Sequence, residues 1–99
     1  MCSIIGYEGK DVTLQDVDAS FSKTYMRGPD ARCIQTLAGG YIGFNRLAIM
    51  GLSSLGMQPF SLKGNQVVCN GEIFGFRNIR RRLIEDGYEF RSNSDCEVL

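Results

Sequence analysis

Two strand-like runs, Cys33 to Leu37 and Tyr41 to Ile49, are separated by nothing but Ala38-Gly39-Gly40. So short a join makes an antiparallel hairpin, and its glycines supply the positive φ angles expected of a tight turn. In the second run Ile42, Phe44, Arg46 and Ala48 share one face. Tyr41, Gly43, Asn45, Leu47 and Ile49 share the other. Arg46 is thus a cation set in an apolar strand, and it needs a carboxylate partner in the protein or on a ligand.

The remaining chain alternates between the two periods. Ser3-Ile4-Ile5-Gly6 reads as a buried strand. Within Asp11 to Phe21, Leu14, Val17 and Phe21 fall on one helical face. Thr13 is its expected N-cap, with Asp16 and Asp18 at the positive end of the dipole. Arg27-Gly28-Pro29-Asp30 marks a turn, and Gly51 to Phe60 a loop. Ser61 to Phe74 reads as a second hairpin, turning at Gly64-Asn65 or at Asn70-Gly71. If the first turn is used, Asn70-Gly71 lies at a strand end, where Gly71 allows a close approach to its N–H. Phe76 to Asp86 returns to a helical period, with Phe76, Ile79, Leu83 and Ile84 as the buried stripe and Gly87 as the stop. Tyr88-Glu89-Phe90 could begin a further strand, Ser92 to Asp95 is a polar turn, and Val98-Leu99 resembles a helix opening. Two helices among antiparallel strands make an α+β fold.

Bulk properties exclude several function classes. Hydrophobic residues are 43% of the chain, as in globular proteins. Eleven positive and eleven negative side chains give a net charge of zero, with no long-range pull toward nucleic acid or an anionic membrane. The cluster Arg77, Arg80, Arg81 and Arg82 is followed by Glu85 and Asp86 and reads as a solvated helix face. No apolar run is long enough to span a bilayer, and the amino terminus lacks the regions of a signal peptide. A cytoplasmic location is expected, where Cys2, Cys33, Cys69 and Cys96 stay reduced. Their wide spacing and the absence of histidine argue against a metal site. Cys33, Cys69 and Cys96 are expected to be small core side chains.

Cys2 is different. Removal of Met1 would leave one residue carrying both a thiol and a free α-amine. The thiolate is the nucleophilic form, and free thiols titrate near pH ~8.5. α-Amines titrate near ~7.7–8.0, so part of such a population is unprotonated and can act as base. Without histidine, a Cys-His pair is impossible and the terminal amine is the nearest base.

Arg46, Asn70, Gly71, Glu72 and Asp95 stand out with Cys2 from the apolar frame. Singly, Arg46 reads as a satisfied ion pair, Asn70-Gly71 as a turn and Asp95 as a helix cap. Together they meet the needs of amide hydrolysis on a free amino acid. A thiol attacks the amide, and an Asn NH₂ with a Gly N–H receives the oxyanion. Arg46 grips an α-carboxylate in fork geometry, and Asp95 meets an α-ammonium.

Six strings carry a family resemblance over the whole chain: Met1-Cys2 with Ile4 and Gly6, Arg27-Gly28-Pro29-Asp30, Arg46-Leu47-Ala48-Ile49, Gln58-Pro59-Phe60, Asn70-Gly71-Glu72-Ile73-Phe74 and Ser94-Asp95-Cys96-Glu97-Val98-Leu99. In this order and spacing they resemble the class II glutamine amidotransferase domain, an N-terminal nucleophile hydrolase. The pattern is closest to the amino-terminal domain of glutamine-hydrolysing asparagine synthetase. The resemblance implies part of an αββα sandwich whose second half is missing, so that residues 1–99 are an incomplete type-2 domain without the synthetase domain. It implies Cys2 as nucleophile, Asn70 and Gly71 as oxyanion hole, and glutamine held by Arg46, Leu47, Ala48, Ile49, Met50, Glu72 and Asp95. It implies no cofactor in this chain, since ATP and magnesium would belong to the synthetase domain. The implied partners are glutamine and a synthetase domain or chain that uses the ammonia, with neither nucleic acid nor membrane. A different class of outcome is a truncated, non-catalytic glutamine-binding or interaction module. Ser3 departs from the resemblance, which leads one to expect glycine after the nucleophile, where a side chain could crowd the site.

Overall fold

A computed structural model describes residues 1–99. Strands β1 (Ser3–Glu8), β2 (Ala31–Leu37) and β3 (Gly40–Arg46) form an antiparallel sheet in the order β1-β3-β2. β3 is central, with Ser3 opposite Asn45 on one side and Leu37 opposite Gly40 on the other. The expected hairpin is present, but Gly39 and Gly40 do not adopt positive φ. Gly40 is needed for space instead, because a Cβ there would run into the Tyr7 carbonyl of β1.

β3 stops at Arg46 and does not continue to Ile49. Beyond it, the backbone of Leu47 bonds to the Cys2 sulfur, and the Ala48 N–H donates to the Asp30 carboxylate at 2.7 Å. These partners draw the chain out of the ladder.

The second hairpin pairs β4 (Phe60–Leu62) with β5 (Asn65–Val67). Its turn is Lys63-Gly64, one residue earlier than Gly64-Asn65, with φ of 51° and 83°. Two successive positive φ values match the twist of the flanking strands. Asn70-Gly71 is thereby released from turn duty and follows the end of β5.

Helix α1 (Leu14–Ser22) opens with a capping box. The Asp16 N–H donates to Thr13 Oγ1 at 3.2 Å, and the Thr13 N–H returns a bond to Asp16 Oδ2 at 3.3 Å. Hydrogen bonds from the Thr13 side chain, then from its backbone, hold the Asp16 carboxyl below its ordinary range. Val17 and Phe21 bury beneath the sheet, and Gly43 makes room for the Phe21 ring. With Phe44 and Cys96 they are the fully buried apolar side chains.

Helix α2 (Phe76–Glu85) lies between Gly75 at φ 74° and Gly87 at φ 94°. Its expected stripe is not buried. Ile79 and Ile84 are exposed, while Phe76 and Leu83 are half-buried. The helix packs chiefly against the 3-10 turn Asp95–Val98, which is too small to cover it. That turn takes the place of the helix opening expected at Val98-Leu99. Tyr88 to Phe90 forms no strand, and the Phe90 ring lies under the Arg80 guanidinium at 4.8 Å.

The α+β class stands, with two helices and antiparallel sheets compatible with part of an N-terminal nucleophile hydrolase sandwich. No helix is long and apolar enough to cross a membrane.

Candidate active site

The end of β3, the segment after β5 and the Asp95 turn surround a cavity of about 240 Å³. Cys2, Arg46, Asn70, Gly71, Glu72 and Asp95 all line it, as do Leu47, Ile49 and Met50. Ala48 does not. Its N–H is spent on Asp30, so it shapes the loop without facing the cavity. The volume lies just below the ~300–1,000 Å³ usual for drug-sized ligands and suits a single amino acid.

Cys2 is held from both sides. Its Sγ accepts from the Leu47 N–H at 3.2 Å and donates to the Leu47 carbonyl at 3.5 Å. Its own carbonyl accepts from Arg27 Nε at 3.3 Å. Met1 also lines the cavity. Ser3 points away, as alternation along a strand requires. Its buried Oγ contacts Thr24 Oγ1 at 2.8 Å and accepts from Asn45 Nδ2 at 3.1 Å. The serine therefore does not crowd the cavity.

Arg46 is 6% exposed, and no protein carboxylate pairs with it. Its guanidinium donates to the Ser53 carbonyl at 2.9 Å and to the Gly51 carbonyl. The sequence-level demand for an anionic partner is met by carbonyl dipoles alone, which leaves a buried full charge facing the cavity. Gly56 makes this possible, since a Cβ there would lie 2.8 Å from Arg46 Nη2.

Asp95 is the converse. It is 6% exposed, its Oδ2 accepts from the Ile73 N–H at 2.7 Å, and no cation pairs with it. A buried guanidinium and a buried carboxylate on one cavity complement the two ends of a zwitterionic amino acid.

Asn70-Gly71 is positioned by Gln58. The Cys69 N–H donates to Gln58 Oε1 at 2.6 Å, and Gln58 Nε2 donates to the Cys69 carbonyl at 3.2 Å. One side chain thus substitutes for a strand partner. On the far side, Cys96 Sγ donates to the Gly71 carbonyl at 3.6 Å. Burial, and then contact with Cys69, pushes the Cys96 thiol well above the usual thiol range, so it stays protonated. Cys69 and Cys96 both line the cavity, which corrects the expectation of plain core side chains, and Cys33 is half-buried in β2.

Sequence reasoning missed the braces. The Asp30 N–H donates to the Arg46 carbonyl at 2.9 Å while its carboxylate holds Ala48. Gly28 lies so close to the Asn45 and Arg46 backbone that a Cβ would collide. Arg27-Gly28-Pro29-Asp30 is therefore a clamp on β3 as well as a turn, and its place among the family strings was the available signal. Gln58 carried no signal beyond the Gln-Pro-Phe string.

The glutamine amidotransferase domain family matches residues 1–99. The chain belongs to that family. It is 37% identical to a probable glutamine-hydrolysing asparagine synthetase of Acanthamoeba polyphaga mimivirus, over 100% of the chain and 19% of the relative. It is 32% identical to glutamine-hydrolysing asparagine synthetase 1 of Bacillus subtilis, over 100% of the chain and 17% of the relative. It is 30% identical to a glutamine–fructose-6-phosphate aminotransferase of Methanosarcina mazei, over 100% of the chain and 21% of the relative. The chain thus spans about a fifth of the length of these relatives. No solved structure matches it.

Proposed function

We propose that this chain carries the glutamine-hydrolysing site of an asparagine synthetase-like enzyme, releasing ammonia for asparagine synthesis from aspartate. Two mimivirus and Bacillus relatives named as glutamine-hydrolysing asparagine synthetases support that choice of acceptor. Once Met1 is removed, the Cys2 amine takes the thiol proton, and the sulfur attacks the glutamine side-chain carbonyl. The Asn70 NH₂ and the Gly71 N–H receive the oxyanion. Collapse returns the proton to the leaving nitrogen and expels ammonia. Water then cleaves the glutamyl thioester to glutamate and free thiol. Arg46 takes the α-carboxylate and Asp95 the α-ammonium, while Leu47, Ile49, Met50 and Glu72 complete the wall. Hydrolysis needs no cofactor. ATP and magnesium would serve a synthetase domain or chain, and residues 1–99 are read as one part of such a larger protein.

The observation that carries this reading is the pair of buried opposite charges, Arg46 and Asp95, on the cavity that Cys2 enters. The test is ammonia release from glutamine, with Cys2→Ala as control. Release by the parent alone supports the reading, and equal release from both overturns it. Intact mass must show loss of Met1, since a retained Met1 places the amine on the wrong residue. The exposed face of α2, with Ile79 and Ile84, favours a second reading as an interaction module that binds glutamine without hydrolysing it. Glutamine binding without ammonia release would select it.

A further inference from the structure

We propose that Cys69 and Cys96 form a reversible disulfide on the cavity wall, made by a hydroperoxide and broken by a dithiol, that closes the glutamine site. Both sulfurs converge on Gly71. Cys96 Sγ lies 3.6 Å from its carbonyl oxygen, and Cys69 Sγ is 3.9 Å from the position a Cβ would take there. The Cys69 thiol is near enough to help raise the Cys96 thiol, and both are free in this structure. Cys33 is half-buried in β2, and the Cys2 sulfur is engaged by Leu47. Only the first pair is poised to join.

The two thiols have different duties. Cys69 is half-buried and opens on the cavity, so a small peroxide reaches it. Cys96 is 4% exposed, which keeps peroxide from reaching it first. The Cys69 sulfur attacks the peroxide, forming a sulfenic acid and water. The Cys96 sulfur then attacks the sulfenic sulfur, the departing hydroxyl takes the Cys96 proton and leaves as a second water, and the S–S bond forms. Two electrons from the two thiols reduce one peroxide. A dithiol reverses the step by exchange.

The bond would reshape the site, a consequence that rests on the glutamine reading. An S–S bond of ~2.0 Å demands a closer approach than two free thiols make. Gln58 grips both backbone groups of Cys69, so that segment resists moving. Cys96 must therefore give way, and with it go its bond to the Gly71 carbonyl and the placement of adjacent Asp95. Oxyanion hole and ammonium site would shift together.

The test uses the 99-residue chain carrying Cys2→Ala, which removes the competing nucleophile. Hydrogen peroxide is added, remaining thiols are alkylated after denaturation, and peptides are mapped by mass. The expected result is one cross-linked pair, Cys69 with Cys96, lighter by two hydrogens, with Cys33 alkylated and dithiothreitol restoring both thiols. Adding Cys96→Ser should leave a dimedone-reactive sulfenic acid at Cys69. Alkylation of both cysteines after peroxide, or a cross-link involving Cys33, overturns the proposal. Calorimetry on the Cys2→Ala protein should show glutamine binding weakened about tenfold or more by the cross-link. Unchanged binding in the cross-linked protein overturns the closing role. Absent binding in the reduced protein overturns the glutamine reading instead and leaves the disulfide to stand on the peptide map.

Discussion

Leu47 clasps the Cys2 sulfur with both of its backbone groups, donating at 3.2 Å and accepting at 3.5 Å. The aim of that sulfur therefore depends on how the chain leaves β3. That path is set by Asp30, which bonds Arg46 through its N–H and Ala48 through its carboxylate.

Asp30→Ala should remove the carboxylate anchor of Ala48 and loosen the clasp. A five- to tenfold fall in kcat/KM for glutamine is expected, about 1 kcal/mol for one hydrogen bond. Asp30→Asn keeps an acceptor oxygen and should retain most activity. Steady-state ammonia release measures both. Equal rates for Asp30→Ala and the parent would remove Asp30 from the support of the site.

Gly28→Ala places a methyl against the backbone of Asn45 and Arg46. Backbone cannot yield as a side-chain tip can, so a loss of ~1–3 kcal/mol of stability is expected. Urea unfolding followed by circular dichroism gives the value. A midpoint unchanged from the parent would show that the turn can back away.

Gly56→Ala should act on binding. Its Cβ would lie 2.8 Å from Arg46 Nη2 and 2.6 Å from the Gly51 carbonyl, pushing the guanidinium out of place. KM for glutamine should rise about tenfold while kcat changes less. A glutamine analogue without the α-carboxylate should show no such difference between variant and parent.

The capping box of α1 predicts an acid-side effect. The Thr13 hydrogen bonds hold the folded pKa of Asp16 below the usual aspartate value, so its stabilising contribution is fully present above that usual value. It is lost as pH falls through the lower, folded value. Asp16→Asn should therefore lower the melting temperature near neutrality and converge with the parent in strong acid. A constant gap at every pH would assign the effect to packing.

Thiol chemistry should be ordered along the chain. Maleimide should reach Cys2 first and Cys96 last, because burial keeps the Cys96 thiol protonated. Timed labelling with peptide mapping reads the order, and early labelling of Cys96 would contradict its burial.

How much was legible follows from what each residue needs. Thr13 with Asp16 and Gly87 were readable because a cap is a local device, complete within a few residues. The hairpins were readable for the same reason, although the turn at Lys63-Gly64 uses a lysine at positive φ that residue statistics disfavour. Arg46 and Asp95 were visible as charges out of place. The α2 stripe was misjudged because periodicity reports which face is apolar and says nothing of whether anything covers it. Asp30 and Gln58 were opaque for a third reason. Each acts on backbone brought near by the fold, and a hydrogen bond to a peptide group leaves no residue-type signature at the other end.

The cavity joins Cys2 with Asp95, far apart along the chain. A growing polypeptide therefore exposes its sulfur long before the carboxylate that would recognise a ligand has emerged from the ribosome. Selectivity arrives last. Ribosome-bound chains halted before Asp95 should label at Cys2 at a rate glutamine does not alter, whereas glutamine should shield the thiol of released chains that include Asp95.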